Sequence, residues 1–326
     1  MDNEKVDIKE NTIFKISENL LSILLLDHSS NKNLIWATDN YSKNGAGYFF
    51  QDEIKINQIT GYNGSTIKPR TKKSKKEQEQ RIKQKAEVFT PSWICNNQNN
   101  LIDEKWFGQK NVFNTEKGTT WISKKTKIKF KDKTWQDYVK DLRLEVSCGE
   151  APYLVSRYDT VTGDVIDTKD RIGMLDRKLR VINENVNEPS EWFEWVKTAY
   201  KCTYGFEWQG DSVLIARENL LYTFADNYLY KFNELPNEDL LIEIAKIISW
   251  NIFQMDGVKF VIPNSCKTDC ISQLTLFGDE VKEVECYGCK KNNHNRHNGI
   301  YAKIMNWETN KKIKFISLTK RSKENE

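Results

Sequence analysis

Apolar residues recur at three- and four-residue spacing in several stretches of the chain. Ile13, Ile16, Leu20 and Leu24 fall on one stripe, which predicts an amphipathic helix over 11–26 with Asn11 as its cap. Val213, Ala216, Leu220 and Phe224 keep the same spacing after Gly210. Leu240, Leu241, Ile244, Ala245 and Ile248 give one apolar face to a helix over 237–249, and 188–201 also reads as helical. Short apolar runs without that period read as strands: Leu142 to Val146, 203–208, and 258–262 closing at Pro263. The first of these leads into a turn of small residues, 147–152. Strands alternating with helices predict an α/β sheet. Residues 29–66, rich in Gly, Asn and Ser, predict irregular structure with one or two short strands. Beyond Pro263 the rhythm breaks, and Cys and His concentrate.

The chain has 326 residues, and 12% of them are aromatic, which argues for a packed core rather than global disorder. No apolar run reaches the roughly 18 residues of a membrane span. The start, Met1-Asp2-Asn3-Glu4, lacks the basic and apolar regions of a signal peptide. Seven cysteines, an odd number spread over a long chain, do not read as a secreted disulfide scaffold, so the cytoplasm is the expected location. The net charge of +4 hides an asymmetry. Residues 68–85 hold nine Lys and Arg against Glu77 and Glu79, a local +7 that leaves the remaining chain at −3. Such a block, predicted as an exposed helix, makes Lys72, Lys73, Lys75 and Lys76 candidate phosphate contacts; a solvated helix face is the plain alternative.

Three segments place chemistry at strand ends. Residues 144–154 read as a strand ending in a tight turn, where backbone N–H groups can approach a ligand. Tyr204-Gly205-Phe206-Glu207 puts a carboxylate at the end of the next strand, and a carboxylate can accept two hydrogen bonds from a ribose diol. Trp250 to Gly257 puts Asp256 at a further strand end, where it can accept from an adenine amine. A fourth segment, Ala86-Glu87-Val88-Phe89-Thr90-Pro91, precedes them. Taken singly, each acid reads as readily as a surface cap.

In this order the segments resemble the N6-adenine DNA methyltransferases of restriction–modification systems, in particular the restriction endonuclease subunit M type. The likeness runs over most of residues 11–307. It implies a Rossmann-like S-adenosylmethionine-dependent methyltransferase fold over 86–263, an N-terminal helical and basic extension over 1–85, and a small C-terminal zinc-binding segment with a strand and tail over 264–326. It implies that Phe89, Thr90 and Pro91 lie against the methionine part of the cofactor, with the loop that carries Glu145, Cys148, Gly149, Ala151 and Tyr153. Glu207, followed by Trp208, would hold the ribose, and Asp256 the adenine amine. Double-stranded DNA is the implied substrate.

The chain departs from that pattern in three places. Ala151-Pro152 replace the second glycine of the family's first motif, so a stiffer loop is expected. Glu145 and Glu207 lie further apart than one strand-turn-helix-strand step, so an insertion is expected between them. The six prolines, Pro69, Pro91, Pro152, Pro189, Pro236 and Pro263, include no adjacent pair. The family's Asn-Pro-Pro-aromatic motif accepts the target amine's hydrogens and stacks the flipped base; it is not in this sequence, nor is a Pro-Cys pair for cytosine-C5 chemistry. The resemblance therefore implies the cofactor-binding half of a split enzyme. A second chain would supply the motif, and the missing half would begin near the strand-like Ile313–Leu318 and the charged tail. No residue of this chain is assigned as catalytic.

Cys286-Tyr287-Gly288-Cys289 has zinc-knuckle spacing, with His294 and His297 after it and Cys266 and Cys270 before it. Free cysteines are the alternative, and the spacing leaves the four ligands open. The C…CxxC…HNG pattern of similar chains favours Cys266, Cys286, Cys289 and His297 around a structural zinc, with Cys270 and His294 in reserve. Cys148 reads as a packing residue, because no His lies nearby in sequence. Trp192, Trp195 and Trp208 also read as packing. Glu280-Val281-Lys282 fits the tail of a nuclease signature but lacks its Pro-Asp partner. Two functions follow: the cofactor-binding subunit of a split methyltransferase, or an inactive scaffold binding DNA or a partner protein through the basic block and the knuckle.

Overall fold

The computed structural model describes residues 10–85, 89–275 and 278–321, without the side chains of 84, 85, 269–275, 278–282, 320 and 321. The expectations for Ala86-Glu87-Val88, for the Cys270 thiol and for the Glu280-Val281-Lys282 side chains lie outside these.

The molecule is mixed α/β around a parallel sheet. Arg143–Val146, Thr203–Glu207 and Ile252–Gln254 lie parallel, with Thr203–Glu207 in the middle. Val146 pairs with Phe206 and Phe206 with Phe253, so the three carboxyl ends open on one edge. Between the first two strands lie a long loop and two helices, Met174–Asn185 and Pro189–Lys201. Between the last two lie Gly210–Phe232 and Glu238–Asn251. Local chemistry sets these starts. Pro189 opens its helix with the Glu188 carboxylate accepting from Glu191 N at 2.7 Å. Asn237 accepts from Leu240 N at 3.0 Å, ahead of Glu238 and Asp239. At Gly210 an added Cβ would lie 2.0 Å from the Ile35 carbonyl oxygen, so only glycine lets the long helix begin there.

The N-terminal stripe forms two helices rather than one. Glu10–Ile16 and Glu18–Leu25 break at Ser17, which is extended. The break turns Leu20, Leu21, Leu24 and Leu25 into the core and leaves Ile16 46% exposed. Asn11 does not cap: its side chain accepts from Gly61 N at 2.7 Å and donates to Gly61 O. These leucines share one hydrophobic cluster with Val213, Leu214, Ile244 and Ile252. Arg217, fully buried, stitches the pieces by donating to the carbonyls of Leu24, Leu26, Ser249 and Ile252.

Two further expectations shift. Residues 258–262 do not form a strand. The Asp256 carboxylate accepts from Val258 N and Lys259 N and closes a turn, Phe260 has φ +60°, and only Val261 bridges to Tyr301. The run near the C-terminus divides into a strand, Lys311–Lys314, paired with Lys303–Asn306, and a helix, Ile316–Arg321. This segment brings Ala302, Ile304 and Phe315 onto Phe206 and Phe253. It covers one sheet face over the middle and last strands. On the same face the first strand is bare, with Leu144 43% and Val146 63% exposed. No described helix is long and apolar enough to cross a membrane.

Candidate cofactor cleft and metal centre

The turn after the first strand contains three residues in the left-handed region: Ser147 (φ +50°), Gly149 (+53°) and Ala151 (+64°). Two of them carry a Cβ, at roughly 1–2 kcal/mol each, so the surroundings must hold the turn. Cys148 N donates to Phe206 O at 2.9 Å, and Ala151 N to Cys148 O at 2.7 Å. Glu145 is buried beneath the turn and accepts from Tyr153 N and Leu154 N at 3.4 and 3.1 Å. Burial raises its pKa well above the usual carboxylate range. The residue thus shapes the loop from inside. Cys148 is buried, and burial pushes its thiol pKa well up, as suits a packing residue. Glu150, not singled out from sequence, accepts from Arg70 N and Tyr158 Oη, both at 2.6 Å.

The Phe89 segment meets this turn. A Cβ on Gly149 would lie 3.9 Å from Phe89 Cε1, and the Arg70 guanidinium stands 5.0 Å from that ring's centre. Thr90 O accepts from Thr160 Oγ1, and the Tyr153 side chain meets Thr90 and Cys95. Pro91 precedes the Ser92–Phe107 helix.

Glu207 holds the turn from the next strand. Its Oε2 accepts from Gly149 N at 3.0 Å, and its Oε1 from Trp208 N and Gln209 N at 2.8 and 3.2 Å. A carboxylate has about four lone-pair sites, so one remains, on Oε2. Burial raises the Glu207 pKa, against the lowering by these three donors. Beside it opens a cavity of about 380 Å³ lined by Thr38, Phe50, Glu207, Trp208 and Asn264. Phe50, Trp208 and Asn264 also line an adjoining cavity of about 330 Å³ that reaches Asp256. Asp256 Oδ1 is taken up by its turn, and Oδ2 has no hydrogen-bond partner among the described residues. Thr38 Oγ1 is buried without one. An orphaned hydroxyl, two acceptor sites and two aromatic side chains along these two adjoining cavities fit a nucleoside. Sequence reading passed over Thr38, Phe50 and Asn264; the one signal was the aromatic run Tyr48-Phe49-Phe50 in a stretch read as irregular.

Cys266, Cys286, Cys289 and His297 form a group that could hold a metal ion, with all four donor atoms within 4.8 Å of one another. His297 Nδ1 lies 3.6 Å from Cys266 Sγ and 3.7 Å from each of the other two sulfurs. Tetrahedral zinc with ordinary Zn–S and Zn–N bonds has S–N edges of about 3.6 Å, so the donor set fits. Gly288 is required between the two cysteines, since a Cβ there would lie 2.6 Å from His297 Nδ1. The N–H of Asn298 donates to Cys286 Sγ at 3.3 Å, which supports a thiolate. His294 is outside the group, with its ring edge-on to Phe260. Cys266, Cys286 and Cys289 line the same cavity as Asp256.

The basic block forms a helix over Lys75–Lys85, preceded by a 3-10 turn at Arg70–Lys72. Lys72, Lys75 and Lys76 are exposed. Lys73 points inward, 8% exposed and 3.8 Å from Asp211. No family model matches the chain, and comparison with curated proteins and with solved structures gives no match either.

Proposed function

We propose that this chain is the S-adenosylmethionine-binding subunit of a split, site-specific DNA adenine-N6 methyltransferase of a restriction–modification or phage-defence system, with a Rossmann-like methyltransferase fold and a cytoplasmic location. The observation that carries the reading is a pair of adjoining cavities at the carboxyl ends of the parallel strands. Glu207, which accepts from Gly149 N, lines the first, and Asp256 lines the second. In this reading Glu207 Oε2 accepts from a ribose hydroxyl and Asp256 Oδ2 from the adenine amine, while Phe50 and Trp208 enclose the base. Phe89, Thr90 and Pro91 bound the methionine end. The bound cofactor supplies an electrophilic methyl group on a sulfonium. A structural zinc at the Cys3His group fixes the cleft's far wall, and four protein donors leave it no open position for substrate.

No adjacent prolines exist here to accept the target amine's hydrogens, so a second chain with an Asn-Pro-Pro-aromatic motif completes the site. The free edge of Arg143–Val146 supports such a partner. Among the described residues this strand pairs on one side only, and Leu144 and Val146 extend the Phe206–Phe253 row onto bare surface. Parallel sheets are normally covered on both faces; a partner strand would satisfy the edge, and an element packed behind it would cover the row. One observation favours the scaffold reading: both Glu145 oxygens accept from the loop's own backbone, and Glu207 keeps one lone pair.

Transfer of labelled methyl groups to DNA tests the proposal. The purified chain alone should be silent. Adding the motif-bearing chain should give activity, and Asp256→Ala should weaken it. Turnover by the single chain would overturn the split-enzyme reading. Failure to bind cofactor alone or with any partner would leave the scaffold.

A further inference from the structure

A third cavity, of about 490 Å³, lies between the 39–44 turn, the 61–68 loop and the Lys75–Lys85 helix. Lys43, Lys68, Lys73 and Arg81 line it against two carboxylates, Asp39 and Glu77. Asp39 accepts from Phe50 N at 3.1 Å, and Glu77 accepts from the Ser74 N–H and hydroxyl and pairs with Lys43 at 3.9 Å. Asp211 lies beneath, where its Oδ2 accepts from Tyr41 Oη at 2.7 Å and from Arg81. Lys73 Nζ is the second cation paired with Asp211, but it is left without a hydrogen bond. It is buried, lines the cavity and stands 3.8 Å from that occupied oxygen. A buried ammonium with three unsatisfied donors is costly unless an acceptor reaches it. Lys68 is exposed on the rim. Beside it Tyr62 is 108% exposed, more than an extended reference chain would leave it, so its ring is open to stack.

We propose that this basin is a phosphate site that takes a phosphodiester of a DNA strand, with a neighbouring base on Tyr62. Lys73 provides the buried charge, Lys68 closes over the oxyanion from the rim, and the tyrosine gives a sequence-tolerant platform. Asp39 lines both this basin and the Glu207 cleft, so a strand held here passes beside the proposed cofactor. The choice of DNA as the source of the phosphate rests on the function proposed above; the phosphate chemistry does not. The candidate contacts thereby move from the outward Lys72, Lys75 and Lys76 to the inward face of the same block.

The test is oligonucleotide binding by the full chain, read by fluorescence anisotropy across a salt series, with cofactor affinity measured alongside. Lys68→Glu, Lys73→Met and Tyr62→Ala should each weaken single-strand binding about tenfold. The two lysine variants should also lower the salt slope by about one. Cofactor affinity should hold, and the outer-face double variant Lys75→Ala/Lys76→Ala should do less. If Lys73→Met does not fold, Lys68→Glu and Tyr62→Ala, both at exposed positions, carry the test. Unchanged binding in those two, or an equal loss in the outer-face variant, overturns the proposal. Inorganic phosphate or adenosine monophosphate binding as tightly as the oligonucleotide would refute the DNA source. No cofactor binding by the wild-type chain, or unchanged cofactor binding in Glu207→Ala, with oligonucleotide binding intact would count against the cofactor reading and leave this site standing.

Discussion

Glu207 Oε2 accepts a hydrogen bond from the backbone N–H of Gly149 at 3.0 Å, across 58 positions of sequence. The bond ties the turn after the first strand to the end of the second, and it fixes the mouth of the cleft. Glu207 therefore clamps the left-handed turn, and in the proposed function it has a second job as the acceptor for a ribose hydroxyl.

The two jobs separate by substitution. Glu207→Gln keeps an oxygen for one N–H but loses the charge, and should weaken S-adenosylmethionine binding by roughly 1.5–3 kcal/mol. Glu207→Ala should do the same and also loosen the turn, seen as faster amide exchange at Gly149. Calorimetry that finds both variants binding the cofactor as well as wild type would remove Glu207 from the site.

Much of this arrangement was legible in the sequence because it is local. Gly149, Glu207 and Asp256 follow short apolar runs, and such runs place the ends of strands. The role of Glu145 was not legible, since nothing in Leu-Glu-Val says that the carboxylate folds under its own loop to Tyr153 N and Leu154 N. The cleft's other wall was hidden for a different reason. Ala37, Thr38 and Phe50 come from a stretch without period, held in place by long-range bonds such as Gln254 Nε2 to Ile35 O. The inward turn of Lys73 was hidden too, because a charge run does not show which member faces a buried Asp211.

Metal removal should reach the cofactor cleft. Cys266, Cys286 and Cys289 line the cavity that holds Asp256. Elemental analysis should find about one zinc per chain. A chelator, or Cys286→Ser, should release it, loosen the segment around His297 and weaken cofactor binding. Metal-free protein with unchanged proteolytic resistance across 264–300 would show that the four side chains hold no structural ion.

Arg217 should be among the costliest residues to replace. Its guanidinium, fully buried, reaches four carbonyls on two stretches of the chain. Arg217→Met fills similar volume but orphans those acceptors, at roughly 1–3 kcal/mol for a buried polar group. A total loss of at least about 3 kcal/mol is expected from urea unfolding. A loss under about 1 kcal/mol would mean that the N-terminal helices are not held through this side chain.

Two acids buried against each other set the pH dependence. Glu10 is 2% exposed, Glu218 is fully buried, and neither Glu218 oxygen has a hydrogen-bond partner. Burial pushes Glu10 up to about 8, and burial, then the charge of Glu10, raises Glu218 well above its ordinary value. Folded-state pKa values above the unfolded ones mean that the native protein holds more protons. The stabilisation is complete below about pH 4.5 and is lost as pH rises towards 8. His28 works in the opposite sense: burial, then Arg217 and Lys312, lower its pKa to about 3, so stability falls as pH drops below about 6.5. Comparing wild type with Glu218→Gln at each pH cancels the histidine. The amide cannot ionise, so the variant should gain on wild type by roughly 1–3 kcal/mol between pH 5 and pH 8. Denaturant titrations at the two pH values measure this directly. A difference between the two proteins that does not change with pH would show that Glu218 folds with its charge intact.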